Sequence, residues 1–448
     1  MTIQLTTIWR CFQGVIPSII GTSDAHGTPN VTYASQVHLI DDDHVALSRQ
    51  FFNKTSRNLE ENAFACAEVH DPVTFQSYRL HLKFLRSEKS GPLFDVMAVR
   101  IQAIASLTGM SGVFRLIGAD VFEVLRVERV EGFLTTVPVE PDERMSMSGA
   151  RSEIRGLQYI SEQINRAGDL DSLLDIVLEA LESYFGFEHA MVLLVDDGDR
   201  LVTMASRGYG TSGVGAEVER GDGLIGTAAS ELRVIRMTGL EAALRYGRAV
   251  RRESGSATPE IPLPGLPDAQ SALVIPLKLC DRLVGVLAVE DRDPTRFGEW
   301  HEAYLEIIGN QIALGIDRMA DDGEETAPPR LPIAKPEPAD LGRRRTLTYY
   351  VNDDCIFIDG EYLIRNVPGR ILWKLMREHQ RDGRREFTNR ELRLDPKLGL
   401  PPIKDNLESR LILLRRRLTE KCPDVRLVPV SRGRFALEVD GAVEMVER

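Results

Sequence analysis

The chain has no apolar run approaching the roughly 18 residues that a membrane-spanning helix needs. Its first residues, Met1-Thr-Ile-Gln-Leu5, lack the basic stretch leading into an apolar core that marks a secretory signal, so a cytoplasmic location is expected. Cysteine is also scarce. The five present (Cys11, Cys66, Cys280, Cys355, Cys422) are odd in number and scattered, with no CxxC pair. That argues against a disulfide framework or a zinc site and fits a reducing compartment. The Asn-x-Thr sequons at Asn30 and Asn53 then carry no meaning, because glycosylation requires export. No internal repeat is visible. What the sequence does contain is 448 residues at 43% hydrophobic and 27% charged, which excludes a disordered or fibrous chain and suffices for several domains.

The net charge of −12 is unevenly spread. From Leu341 to the end, 23 Lys and Arg face 17 Asp and Glu, an excess of six positive charges; the remainder holds 32 basic against 50 acidic residues. A basic tail on an acidic body places any polyanion contact in the tail.

Two segments read as connections: Val137–Gly149, without apolar periodicity, and 320–345, which is acidic, then proline-rich, then basic. The expected divisions are 1–137, 150–319, a linker over 320–345, and 346–448. Extended, a tether of about 25 residues can exceed about 70 Å, so rigid coupling of the tail to the body is not expected. The first part reads as short strands (Ile16–Ser23, Val31–Leu39, Val45–Arg49, Ala63–Val69, Tyr78–Leu85, Val121–Val130) with one helix from Pro92 to about Leu107, a pattern that favours a closed barrel. The second alternates: helices near Glu153–Ala167 and Asp171–Tyr184, strands at Ala190–Val195, Leu201–Ser206, Ser271–Leu279 and Leu283–Glu290, then a long helix near Gly298–Met319. Helices flanking a mixed sheet make an α+β domain.

In the first part, Ser48-Arg-Gln-Phe-Phe-Asn-Lys-Thr-Ser-Arg-Asn-Leu59 ends a strand and opens a helix near Thr55, a suitable N-cap. Helix amides, Lys54 and the hydroxyls of Thr55 and Ser56 together would make an anion site. An ordinary N-cap with solvated basic neighbours is the other reading. The strand order, the turn Asp24-x-x-Gly-x-Pro-Asn30 and the element Asn53–Leu59 resemble the FMN-binding split barrel of the pyridoxamine phosphate oxidase-like superfamily. That resemblance implies FMN at a homodimer interface, with Lys54, Thr55 and Ser56 on its phosphate and Ser48, Arg49 and Gln50 along the ring or ribityl chain. It names no catalytic residue.

Two GxGxxG runs, Gly208–Gly213 and Gly221–Gly226, imitate a dinucleotide site. Neither lies between the first strand and helix of a βαβ unit, so the nucleotide reading fails. Residues 150–319 resemble instead a GAF domain, carried by Gly221–Ala229, Ser271–Leu277, Leu283–Glu290 and Asn310-Gln-Ile-Ala313. Such domains sense small ligands or dimerise, and the ligand here has no legible signature. Lone residues such as Cys280 and His189 read as structural, and no metal is expected.

The tail has a helix near Pro368–His379, a capping box at Thr388-Asn-Arg-Glu391, and a third helix near Asp405–Lys421 with Leu407, Leu411, Leu414 and Leu418 on one face. At about 100° per residue the opposite face carries Asp405, Ser409, Ile412, Leu413 and Arg416. Arg426–Val430 and Arg434–Val439 form a hairpin around Ser431-Arg-Gly433. Three helices and an arginine-tipped hairpin describe a winged helix-turn-helix. The segments Leu411–Leu418 and Val430–Phe435 are similar to the recognition helix and wing of response-regulator DNA-binding domains, although no receiver domain is present. The similarity implies duplex DNA as partner, with Asn406, Ser409 and Arg416 near base edges and Arg415, Arg432 and Arg434 near phosphate or minor groove. Ile412 and Leu413 depart from it: apolar side chains on that face imply thymine-methyl contact, a protein partner or lost sequence reading. The expected protein is a multidomain α+β, cytoplasmic, homodimeric transcriptional regulator with flavin and GAF sensing modules. The alternative is an FMN-dependent oxidase or reductase whose other domains regulate it, and a scaffold that binds only proteins is a third.

Overall fold

A strand covered on one face alternates apolar and polar residues, whereas one covered on both faces is apolar throughout. Both kinds occur in the structure, a computed structural model that describes every residue except 1–2, 15, 51–53, 111–112, 132–146, 197, 241–260, 322–343, 401–406 and 432, and no side chain of 147–152 or 320–321. The two expected connections lie largely outside the described residues.

The N-terminal part opens with a 3₁₀ segment, Leu5–Phe12, absent from the sequence reading. It continues β1 (Ser18–Ser23), β2 (Pro29–Ala34), β3 (Val37–Leu39), β4 (His44–Arg49), α1 (Lys54–Glu61), β5 (Phe64–His70), β6 (Ser77–Glu88), α2 (Pro92–Leu107) and β7 (Gly118–Val130). The strands form one antiparallel sheet, β2-β1-β5-β6-β7-β4-β3, curled so that β2 approaches β4. Strand β1 alternates in burial, as a one-sided strand must. The single strand expected over Val31–Leu39 is two, β2 and β3.

The middle part runs α3 (Met147–Arg166), α4 (Leu170–Phe185), β8 (His189–Val195), β9 (Leu201–Arg207), β10 (Glu217–Val218), α5 (Gly223–Glu231), β11 (Ile235–Thr238), β12 (Ser271–Leu279), β13 (Arg282–Asp291) and α6 (Glu299–Asp321). Helix α3 starts inside the stretch expected to be aperiodic. The antiparallel sheet β10-β9-β8-β13-β12-β11 is covered on both sides. Val192, Ile275 and Leu287 pack under α3, α4 and α6, while Met191, Leu193, Val274 and Val286 point to the other face. That second face is closed by α5 together with Val99, Ala103 and Leu107 of α2, so the first part's helix completes the second part's core.

The C-terminal part comprises β14 (Arg345–Tyr350), β15 (Cys355–Ile358), β16 (Glu361–Arg365), α7 (Asn366–Asp382), β17 (Glu386–Thr388), α8 (Asn389–Arg393), α9 (Leu407–Lys421), β18 (Val425–Ser431), β19 (Arg434–Val439) and β20 (Val443–Glu447). Two sheets result, β16-β15-β14-β20 and β17-β19-β18. β20 closes the first by pairing in parallel with β14, bringing the last residues back to Arg345. The Thr388 hydroxyl accepts the Glu391 amide at 3.2 Å, capping α8. Among the described residues no helix is long and apolar enough to cross a membrane.

Candidate functional site

A cavity of about 620 Å³ opens in the curled sheet between β1, β2, β4 and α1. That is within the range of small-ligand sites. Ser48, Arg49, Gln50, Thr55 and Ser56 all line it, with Tyr33, Ser35, His70 and Asp120; Lys54 does not. The Thr55 hydroxyl accepts from Asn30 Nδ2 at 2.9 Å, and Thr55 is the second residue of α1, not the N-cap the sequence suggested. At the end of β4, Ser35 Oγ lies 3.1 Å from Ser48 Oγ and donates to Gln50 Oε1 at 3.0 Å. Arg49 donates through Nη2 to Ser87 Oγ at 2.7 Å and lies 3.7 Å from the Asp120 carboxylate. Burial lifts Asp120 above the ordinary aspartate range, against the opposing pull of Ser87 and Arg49. Arg49 Nε and Asp120 Oδ1 are buried without hydrogen-bond partners among the described residues. Gly118 makes room for this pair, since a Cβ there would lie 2.6 Å from Arg49 Nη2. Sequence reasoning missed Asp120. Its signal was a carboxylate inside an apolar strand, Ala119-Asp-Val-Phe122.

In the middle part the second GxGxxG run has an architectural explanation. Ser106 of α2 donates to the Gly221 carbonyl at 2.8 Å and accepts the Gly223 amide at 2.7 Å. A Cβ on Gly226 would come 2.2 Å from the Glu219 carbonyl, so the glycine permits a close chain crossing. His189 is buried edge-on against Tyr209, and among the described residues no group of His, Cys, Asp and Glu could hold a metal.

In the C-terminal part, Leu407, Leu411, Leu414 and Leu418 enter the core with Phe387, Leu392 and Leu427. Asn389 joins the hairpin to α9: its amide donates to the Gly433 carbonyl at 2.8 Å and its side chain reaches Glu408 at 3.5 Å. The face of α9 expected to be open is not. Ile412, fully buried, belongs to the core of the middle part, and Leu413 packs beside it. Arg416 donates from Nε to Asp171 Oδ1 and from Nη2 to Asp175 Oδ1, each at 2.7 Å, and from Nη1 to the Met204 carbonyl at 3.1 Å. Arg415 lies 3.7 Å from Asp171. Alongside, Arg365 forms a two-bond pair with Glu217, which also meets Arg200. Burial raises Glu408 above its usual value, with Arg415 opposing and Asp169 of the middle part reinforcing. Ser409 lines a cavity of about 310 Å³ at this seam. The structure therefore corrects the expectation of an uncoupled tail. Arg434 is exposed, and Asn406 and Arg432 lie outside the described residues.

Residues 167–317 match the GAF domain family, and that part of the chain is a GAF domain. No curated protein matches the chain. Among solved structures, the GAF domain of an Acinetobacter phosphoenolpyruvate-protein phosphotransferase is 22% identical, spanning 40% of this chain and 99% of that one, with a TM-score of 0.33. An FMN-binding protein from Syntrophomonas wolfei subsp. wolfei is 18% identical over 29% of this chain and 90% of its own, with a TM-score of 0.24. Free methionine-R-sulfoxide reductase from Neisseria meningitidis, in complex with its substrate, is 20% identical over 39% and 93%, with a TM-score of 0.31. Each likeness is confined to one part of the chain.

Proposed function

We propose that the chain is a homodimeric regulator that binds double-stranded DNA through its C-terminal part, with the GAF domain and the curled sheet as sensing parts. The observation that carries this reading is the Asn389 bridge, which sets the tip of the β18–β19 hairpin beside the first turn of the basic helix α9. A helix and a wing held edge to edge are what a winged helix-turn-helix presents to the major groove and the adjoining backbone. The positive excess of this part, against an acidic remainder, supplies attraction to phosphate. In this reading Asn406, Ser409 and Arg416 meet base edges, and Arg415, Arg432 and Arg434 meet phosphate or the minor groove.

The curled-sheet cavity suits FMN. Arg49 Nε and Asp120 Oδ1, buried without hydrogen-bond partners among the described residues, supply one donor and one acceptor for the edge of a polar ring. Ser48 and Gln50 line its flank, and Ser56 with the opening amides of α1 faces an anionic group. Lys54 would have to turn inward to join them. A bound flavin would make the sensor responsive to redox state. Tyr33, which lines the cavity, and Val31 are exposed on edge strand β2, where a second copy would cover them. The oxidoreductase reading is favoured by one observation: Asp120, kept protonated to higher pH than an ordinary aspartate, can donate a hydrogen bond or a proton beside Arg49.

The purified chain should bind a random-sequence 30-base-pair duplex at about 50 mM salt and lose it steeply by about 200 mM. Replacing Arg432 and Arg434 with Ala should lower the salt slope by about two, one for each phosphate contact removed. Absence of duplex binding at low salt, together with NAD(P)H turnover by a yellow preparation, would replace the regulator with the oxidoreductase.

A further inference from the structure

We infer that the GAF domain switches DNA binding off by holding α9 on the very face that would enter the groove. This rests on the DNA-binding reading above and adds its regulation. On α9, Ile412 is fully buried in the GAF core and Leu413 packs against both that core and the tail's own, while Arg416 spends its guanidinium on Asp171, Asp175 and the Met204 carbonyl. Asp171 and Asp175 lie one turn apart at the start of α4, so both carboxylates face one side of the helix. They occupy Arg416 as a phosphate or base edge would. The apolar pair explains why this face departs from a purely polar DNA surface: it serves two alternate partners, the GAF domain and the groove.

The contact is built to be released. Arg416 keeps about 19% of its side-chain exposure and Asp175 about 69%, so water reaches the pair. Next to it the 310 Å³ cavity leaves the seam incompletely filled. Arg365 and Glu217 fasten the far side through one bidentate pair. A GAF domain that shifts α4 or β9 by a small amount on sensing its ligand would free α9 from this seam. Only the released fraction binds duplex, so the apparent affinity falls by that fraction.

The test uses the full chain carrying Asp171→Asn and Asp175→Asn, with Glu162→Gln and Glu179→Gln as a control of equal charge change. Binding of the random-sequence duplex at about 50 mM salt should tighten about tenfold in the first variant and stay near wild type in the control. Small-angle scattering without DNA should give a larger radius of gyration for the first variant alone. Equal duplex affinity in the wild type and both variants overturns the inference and leaves the DNA-binding reading intact, as does tightening of the control by the same factor. A larger radius with no duplex binding in any chain overturns both. Asp175→Asn alone, at an exposed position, repeats the test at smaller amplitude if the double variant misfolds.

Discussion

The GAF domain has two seams, and they are made of different material. Toward the N-terminal sheet, α2 lays Val99, Ala103 and Leu107 into the GAF core, and Ser106 is bonded on both sides to the Gly221–Gly223 turn. Toward the C-terminal part, arginines meet carboxylates around Ile412 and a partly empty cavity. Apolar burial is insensitive to salt and small rearrangements, whereas half-exposed ion pairs are worth little each and are screened. The first seam joins the N-terminal sheet and the GAF domain through a shared core. The second is a latch.

The largest effect should come from breaking the first seam. Ala103 is fully buried, and Ala103→Asp places an unpaired carboxylate between α2 and α5. We expect a loss of at least about 3 kcal/mol, read as a large fall in Tm. Melting followed at the N-terminal sheet and at the GAF domain should show both failing together. If the sheet melts alone and the GAF transition stays in place, the seam is not the shared core described here.

A smaller effect should come from salt acting on the second seam. Raising ionic strength from about 50 mM to about 500 mM, without DNA, shortens the screening length well below 10 Å and should open the latch while leaving the Ala103 side closed. The radius of gyration should rise with salt in the wild type, and less in the Asp171→Asn, Asp175→Asn chain, which is already open.

How much of this was legible follows the same division. The GAF strands Ser271–Leu279 and Leu283–Glu290 stood out because a sheet covered twice produces unbroken apolar runs. The leucine row of α9 and the Thr388 cap were equally local signals. Ile412 and Leu413 stood out as apolar residues on a helix face expected to be polar, a departure that left thymine-methyl contact, a protein partner and lost sequence reading all open. Nothing local could say that the partner was the same chain, since Asp171 and Arg416 are 245 residues apart. Strand β20 escaped for a similar reason, because its pairing partner β14 lies about a hundred positions earlier and its own five residues, two of them glutamates, form no apolar run. In the cavity of the curled sheet, Ser48, Gln50, Thr55 and Ser56 lie close together in the sequence along β4 and α1, and all four line it. Asp120 needed β7 to be laid against β4 before it met Arg49.

The smallest effect expected is an acid weakness of the first seam. His38 sits near Arg100, which is half-buried and donates to the Gln13 carbonyl, and near Arg236 of β11. Burial first, then these two guanidinium groups, push the His38 pKa down to about 4. The unfolded chain takes up the proton near pH 6.5, whereas the folded chain refuses it until about pH 4. Unfolded molecules therefore bind more protons throughout that window, and stability falls as pH drops from about 6.5 toward 4, by an amount on the order of 1 kcal/mol. His38→Gln has no proton to take up and should make this part of the curve shallower without changing Tm at pH 8, the remaining slope coming from His301, which burial and then Arg296 and Arg236 also push down to about 4. An unchanged acid slope in the variant would move the weakness elsewhere, and a change in the salt-driven opening of the second seam would mean that the two seams communicate.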